Sequence, residues 1–403
     1  MTDRIVVTSI GVFSALGLGK DDHLRALIAA RSGLQHPQYL KTVHAPEFVM
    51  GEVKMSDEEL AHFLGLPSGD NGYTRTTLLA LIAMRELLKG VDKALLKDDS
   101  FAFINANTVG GMCSVENMYM EFISDKEEGY FTQYIDTLDC AESTQNVANY
   151  FGFKPWMATL STACSSSANA LILGARMIRQ GIVERAICGG CDAMSRFTVN
   201  GFLSLKNVDK EPCKPFDQQR QGLNLGEGAG YLMLEKEADA IARGAEIIAV
   251  FSGYSNTNDA YHPTAPSPDG AGALRTMEQA LEKAGLRPEA IGYINAHGTA
   301  TLNNDASEGL AIERLFGTNA PYFSSTKPYT GHTLAAAGSI EAIFSIWAME
   351  QGVVYPNLNF TTQMEELTIK PVTSLIDNLS FDHVLSNSFG FGGNNVSLIF
   401  SKA

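Results

Sequence analysis

The chain has 403 residues, 45% of them hydrophobic and 19% charged. That suits two ordinary domains, or one large body built from two halves, and excludes a disordered chain. The formal net charge of -15 argues against broad binding to nucleic acid or anionic membrane, whose phosphates must be met by Lys and Arg.

No apolar run approaches the roughly 20 residues needed to span a bilayer. Six cysteines in so long a chain make no disulfide framework, so a reducing cytoplasm is expected. The opening MTDRIVVTSIGVFSALG reads as a buried strand entering a turn, and no signal peptide is expected. Strand-like and helix-like segments then alternate, the pattern of an α/β architecture. The segment 103-FINANT-108 is a short apolar strand running into a polar turn. Extra residues at about 113–145 read as an insertion that covers a pocket or a partner subunit. The strand MATLST leads through 162-TAC-164 into the helical pattern SSSANALILGARMIRQG, which stops at Gly181. In AICGGCDAM, Cys188 and Cys191 form a CxxC without a second ligand pair at zinc spacing; two small buried thiols beside a Gly-Gly turn is the preferred reading.

A second half opens with KEADAIARGAEIIAVFSGY, helix then strand, dividing the chain into 1–240 and 241–403. There the order recurs. The segment 293-YINAHG-298 echoes 103–108, and 330-TGH-332 leads into TLAAAGSIEAIFSIWAMEQG, which stops at Gly352. Glycine suits a helix stop. The shared order points to duplication, with each half presenting a strand-end loop and a helix start to a common centre.

Cys164 stands where a strand passes into a helix. Unpaired N–H groups at a helix start favour a thiolate and lower its pKa. Taken alone, a buried structural cysteine remains the competing reading. Two histidines shift the balance: His297 in INAHGTAT and His332 in STKPYTGHTLAAAG. The repeat places them in loops equivalent to those of Asn107 and Cys164, so all four are expected to converge. A thiol with two imidazoles supplies a nucleophile and donors for developing negative charge, enough for acyl transfer. His23, His36, His44, His62 and His383 lie among ordinary polar or loop residues and receive no role; His262, in DAYHPTAP, is placed either at a substrate entrance or on the surface. The run 388-SFGFGGNN-395 lacks the endings of phosphate and dinucleotide loops. It reads as a mobile turn with N–H groups facing an oxyanion and with Phe389 and Phe391 as gates. No metal site is expected.

Together, TACSSS, INAHGTAT, SSTKPYTGHTLAAAGSIEA, NSFGFGGNN and CKPFDQQRQGLNLGEGAGYLMLE resemble the elongating β-ketoacyl-acyl carrier protein synthases, members of the thiolase-fold superfamily. The resemblance spans nearly the whole chain. It implies a five-layered α-β-α-β-α fold and a catalytic set of Cys164, His297 and His332. Cys164 would take an acyl group from a carrier protein, malonyl-carrier protein would lose carbon dioxide, and the resulting carbanion would attack the acyl thioester. The N–H groups of Cys164 and Phe391 would form the oxyanion hole. Lys327 and Glu341 match a charged support pair, which Asp305 is expected to join. Thr299 and Thr301 match hydroxyls that hold the pantetheine arm, Val109 and Phe202 match the acyl channel, and Lys206 matches a docking residue for the acidic carrier. No cofactor is implied, and a dimer is.

Two departures touch substrate range: Leu302 where proline is common, and Asn394 where the glycine loop often has threonine. With a thin basic entrance, they favour a polyene or polyketide pathway over housekeeping fatty-acid synthesis. A thiolase would need a second cysteine beyond Cys213, and an initiating synthase an asparagine at 332. A non-catalytic chain-length partner, the alternative from another class, would be expected to lack the nucleophile. The chain can equally be the active half of such a heterodimer.

Overall fold

The computed structural model describes residues 4–403 except 68, 70, 97–99, 120–122 and 124–133. Eleven strands are described: β1 (Ile5–Ser14), β2 (Gly17–Leu18), β3 (Phe101–Ala106), β4 (Trp156–Leu160), β5 (Arg185–Asp192), β6 (Gly228–Lys236), β7 (Ala249–Asn258), β8 (Tyr293–Asn295), β9 (Tyr322–Ser324), β10 (His383–Gly390) and β11 (Asn394–Ser401). Apart from the short β2, they run in the order β4-β3-β5-β6-β1-β7-β11-β10-β8-β9. The order is two copies of one five-stranded sheet. In the first, β3 pairs parallel with β4 and β5, and β6 joins antiparallel to β5 and β1. In the second, β8 pairs parallel with β9 and β10, and β11 joins antiparallel to β10 and β7. The copies meet where Val6 and Val7 pair with Val250 and Ala249.

Between the sheets lie two helices, Ser166–Arg179 and Ala337–Gln351, one from each half. The second is apolar nearly all round, and all but its last two residues are buried, as a helix covered on every side must be. Their small N-terminal residues have a steric reason. A Cβ on Gly338 would stand 2.8 Å from the Ala168 Cβ, and the Ser339 N–H donates to Ser167 Oγ at 2.9 Å. Only small residues let the two backbones cross this closely, and that crossing brings both helix starts to one point. The helices Arg75–Leu87 and Cys140–Phe151 cover the outer face of the first sheet, and Ala271–Ala284 with Leu302–Phe316 that of the second. The result is five layers, α-β-α-β-α. Both central helices stop before left-handed glycines, Gly181 (φ 69°) and Gly352 (φ 64°).

The CxxC reading needs one correction. Gly189 and Gly190 form no turn; they lie inside β5, where a Cβ on Gly189 would strike the Gly230 carbonyl of β6 at 1.9 Å. Cys188 and Cys191 are wholly buried in different apolar clusters on opposite faces of that strand, so they share neither a metal nor a disulfide. His23 is also misplaced by sequence. It is buried beside Phe344 and Trp347, bonded to Ser14 Oγ (2.8 Å) and the Gly19 carbonyl (2.7 Å). The tip of the 113–145 insertion lies outside the described residues. Its flanks are pinned together by the Gly111 N–H on the Thr137 carbonyl at 2.6 Å. Among the described residues no helix is long and apolar enough to cross a membrane.

Candidate active site

Three loops bring the predicted trio together. Cys164 follows β4, His297 follows β8 and His332 follows β9, and one ligand atom from each lies within 4.8 Å of the others. All three are buried against one wall of a cavity of about 170 Å³, with Thr299, Thr301, Phe202, Phe389, Phe391 and Lys206 also on its lining. Each loop holds a non-glycine residue in the left-handed region: Ala163 (φ 52°), Ala300 (φ 64°) and Leu334 (φ 53°). Such conformations cost on the order of 1–3 kcal/mol each and persist where the surroundings impose them.

Asn107, the fourth residue expected at the centre, does not reach it. Its Oδ1 accepts from the Val109 and Gly110 N–H groups and its Nδ2 donates to Ser143, so it is spent on its own turn.

The imidazoles have defined roles in hydrogen bonding. His332 Nδ1 accepts the Leu334 N–H at 3.1 Å, which leaves the proton on a buried Nε2 with no partner among the described residues. His297 Nδ1 faces Lys327 Nζ at 3.3 Å; an ammonium only donates, so this ring too carries its proton on Nε2. Both pKa values are held well below the usual histidine range, by burial first and then by the Lys327 charge. Both rings are therefore neutral N–H donors at pH 7.

The Cys164 thiol runs against expectation. Burial pushes it up to about 11; the Lys327 charge and the N–H groups of Phe391 and Cys164 pull the other way without overcoming it. The helix begins at Ser166, two residues beyond the sulfur. The resting group is a thiol.

Lys327 and Glu341, 1% and 4% exposed, form an ion pair as expected. Asp305 stands apart from it. Its carboxylate instead accepts from the N–H groups of Phe216 (2.7 Å) and Ala300 (3.1 Å) and from Asn304, fixing the turn after His297. The carboxylate nearer the chemistry is Glu308, which sequence reasoning missed. It accepts the His297 N–H at 2.9 Å, the Gly298 N–H at 2.8 Å and Asn387 Nδ2 at 3.0 Å, while burial raises its pKa to about 6. Its signal was available: Asp305 and Glu308 are three apart on one helix, hence on one face beneath the HGT loop. Asp192 was missed as well. This buried carboxylate accepts from Thr108, Val109 and the Ala335 N–H, tying the first half to the loop after His332.

Around the cavity, the Thr299 and Thr301 hydroxyls bond each other at 2.8 Å. Phe391 stacks on Phe202, with ring centroids 5.8 Å apart, and Phe389 packs against His297 at the same separation. Val109 lies off the cavity wall, packed with Phe202 on an apolar cluster that includes Leu334. Lys206 is exposed, in a left-handed conformation. His262 is exposed off the lining, although Thr264, Ala265 and Pro266 of its loop contribute to it.

Residues 2–240 match the family description "Beta-ketoacyl synthase, N-terminal domain", and residues 248–361 match "Beta-ketoacyl synthase, C-terminal domain". The chain belongs to the β-ketoacyl synthase family. It is a condensing acyltransferase with the thiolase fold. Among its relatives, the 3-oxoacyl-[acyl-carrier-protein] synthase 2 of Synechocystis sp. is 34% identical over 411 residues, covering 99% of this chain and 98% of the relative. Among solved structures, a chain of the ishigamide ketosynthase/chain length factor superposes with a TM-score of 0.92 at 29% identity, each chain covered in full. A chain of the ketosynthase ApeO in complex with its chain length factor ApeC, from Xenorhabdus doucetiae, gives 0.85 at 32% identity, covering 100% of this chain and 98% of that one.

Proposed function

We propose that this chain is a 3-oxoacyl-[acyl-carrier-protein] synthase that elongates acyl chains by decarboxylative Claisen condensation. The observation that carries the reading is the buried convergence of Cys164 with two neutral imidazoles whose Nε2 protons are free to donate. In loading, the Cys164 sulfur attacks the carrier-bound thioester and the proton of the thiol leaves with the carrier thiol. Malonyl-carrier protein then loses carbon dioxide. The electron pair left behind becomes an enolate whose oxygen receives hydrogen bonds from His297 and His332. Its carbon attacks the acyl thioester, and the tetrahedral oxyanion is held by the Cys164 and Phe391 N–H groups. Collapse expels the Cys164 sulfur, which recovers a proton. Lys327 keeps the His297 tautomer in place, and Glu341 balances its charge.

The same trio has the donor atoms of a metal site. A cation there would sit against the Lys327 ammonium and would need Cys164 as thiolate, which burial opposes. Acyl transfer without a cofactor fits the donor set better. Thr299, Thr301 and Phe389 are assigned to the pantetheine arm, Phe202 and Val109 to the acyl chain, and Lys206 to the carrier, in a cytoplasmic setting. A dimer is assigned too, and β4 supports it: its outer edge pairs with no described strand and exposes Trp156 (43%) and Met157 (37%). The likeness to ketosynthase/chain length factor assemblies supports a homologous second subunit as one form of that dimer, with this chain as the active member.

The test is intact-protein mass after incubation with acyl-carrier proteins of differing length and unsaturation. One acyl adduct is expected on the wild type and none on Cys164→Ala. A wild type that takes no adduct from any primer, alone or with a partner subunit, would reject the reading.

A further inference from the structure

The loop that carries the Phe391 N–H is fastened to the loop that carries Cys164 through one side chain, Asn394. Its Oδ1 accepts from the Ser165 hydroxyl at 2.7 Å, from Asn169 Nδ2 at 2.8 Å and from Asn256 Nδ2 at 3.4 Å. Asn169 Nδ2 also donates to Thr162 Oγ1 at 2.9 Å, so both sides of the nucleophile turn join the network. Ser165 is the residue after Cys164, and Asn394 is three residues after Phe391. Backbone contact follows the same line: a Cβ on Gly390 would meet the Thr162 carbonyl at 2.7 Å and Ser165 Oγ at 3.1 Å. The far side of the loop is held by the neighbouring 258–263 segment, through the Gly392 N–H on the Pro263 carbonyl (2.7 Å) and the Asp259 N–H on the Gly393 carbonyl (2.7 Å), and by the Phe391 ring stacked on Phe202.

We infer that Asn394 is the positioning residue that sets the distance between the two oxyanion N–H groups, by clasping the Phe391 loop to Ser165 and Asn169. The inference rests on the acyl-transfer reading above. Chemistry explains the residue type. The clasp needs an accepting oxygen carried on Cγ, one bond further out than a hydroxyl on Cβ, because the donors come from another loop and another helix. Without the clasp the Phe391 N–H is held less closely to the sulfur, and an oxyanion donor acts only at hydrogen-bond distance from the charge that develops. The cavity wall that grips the pantetheine arm is built from Thr299 and Thr301 and does not depend on this bond.

Acyl loading of Cys164 by a carrier-bound primer, followed by stopped-time mass spectrometry across primer concentrations, separates kcat from KM. Asn394→Ala is expected to lower the loading kcat by at least about tenfold, the scale of a misplacement near 1 Å, with KM within about twofold. Asn394→Asp keeps the accepting oxygen and is expected to restore kcat to within about threefold, which a general loss of folding would not allow. An unchanged kcat in Asn394→Ala would overturn the inference. So would a KM effect with kcat preserved, or an Asp variant no better than Ala. A wild type that fails to load at all would reject the acyl-transfer reading and this inference with it. A wild type that loads alongside an unaffected Ala variant would reject the inference alone.

Discussion

Replacing Lys327 with methionine removes a buried ammonium on which two other groups of the site, His297 and Glu341, depend. Lys327 and Glu341 are almost wholly buried, and Glu341 Oε2 already makes no hydrogen bond among the described residues. Methionine leaves the carboxylate with no cation. Breaking one side of a buried pair costs about 3–5 kcal/mol because the remaining charge is stranded. Burial first, and then the Glu308 charge, already lift Glu341 to about 7 against the pull of Lys327, so without that pull the folded-state pKa rises further. A carboxyl with a raised folded-state pKa loses stability as pH climbs from its unfolded value, about 4.5, through the folded one. The cost of Lys327→Met relative to wild type is therefore small at pH 5 and opens above pH 7, by about 1.4 kcal/mol for each pH unit until the stranded carboxyl ionises. Urea denaturation midpoints at the two pH values measure it. Lys327→Met/Glu341→Gln should recover most of the loss and remove its pH dependence. A cost below about 1 kcal/mol at pH 8, an equal cost at pH 5, or a double variant no better than the single one would refute the reasoning.

Substituting His332 with alanine removes one enolate donor while leaving the sulfur and both oxyanion N–H groups, so condensation should fall by about 10²–10³ and loading by much less; loss of loading alone would contradict the assigned role. His23 is lowered by burial to about 4 from 6.5, so its contribution is present above pH 6.5 and lost as pH falls through 4, worth about 3 kcal/mol in all. His23→Gln should flatten the difference in urea midpoint between pH 7 and pH 4, and an unaltered slope would exclude His23 as the acid-sensitive group. Gly51→Ala would set a Cβ 1.8 Å from the Thr330 carbonyl, two residues before His332. It should cost about 1–3 kcal/mol and slow condensation; a variant as stable as wild type would show that the loop yields.

Much of this protein was legible in one dimension because duplication repeats local signals. The apolar strand before a polar turn at 103–108 and 293–298, and the small-residue helix starts after Cys164 and His332, fix the two halves without any long-range contact. Periodicity and glycine stops are properties of neighbouring residues, and so are the motifs around the trio. The sequence was least informative where burial decides. Glycines read as a turn at 189–190 proved to be a strand interior, because the requirement for them comes from β6 lying against β5.

What the sequence determined by itself was the order of elements, the α/β class, and the identity of Cys164, His297, His332, Lys327 and Glu341 as the groups to watch. Only the tertiary structure decided what each does. It spent Asn107 on its own turn, moved Asp305 out of the charged network, put Glu308 beneath His297, and raised the Cys164 thiol where a helix start alone argued for lowering it. The reason is physical. Residue type and spacing set which hydrogen bonds and charges are available, whereas desolvation and the choice of partner depend on chain segments up to hundreds of residues apart, and only packing brings those together.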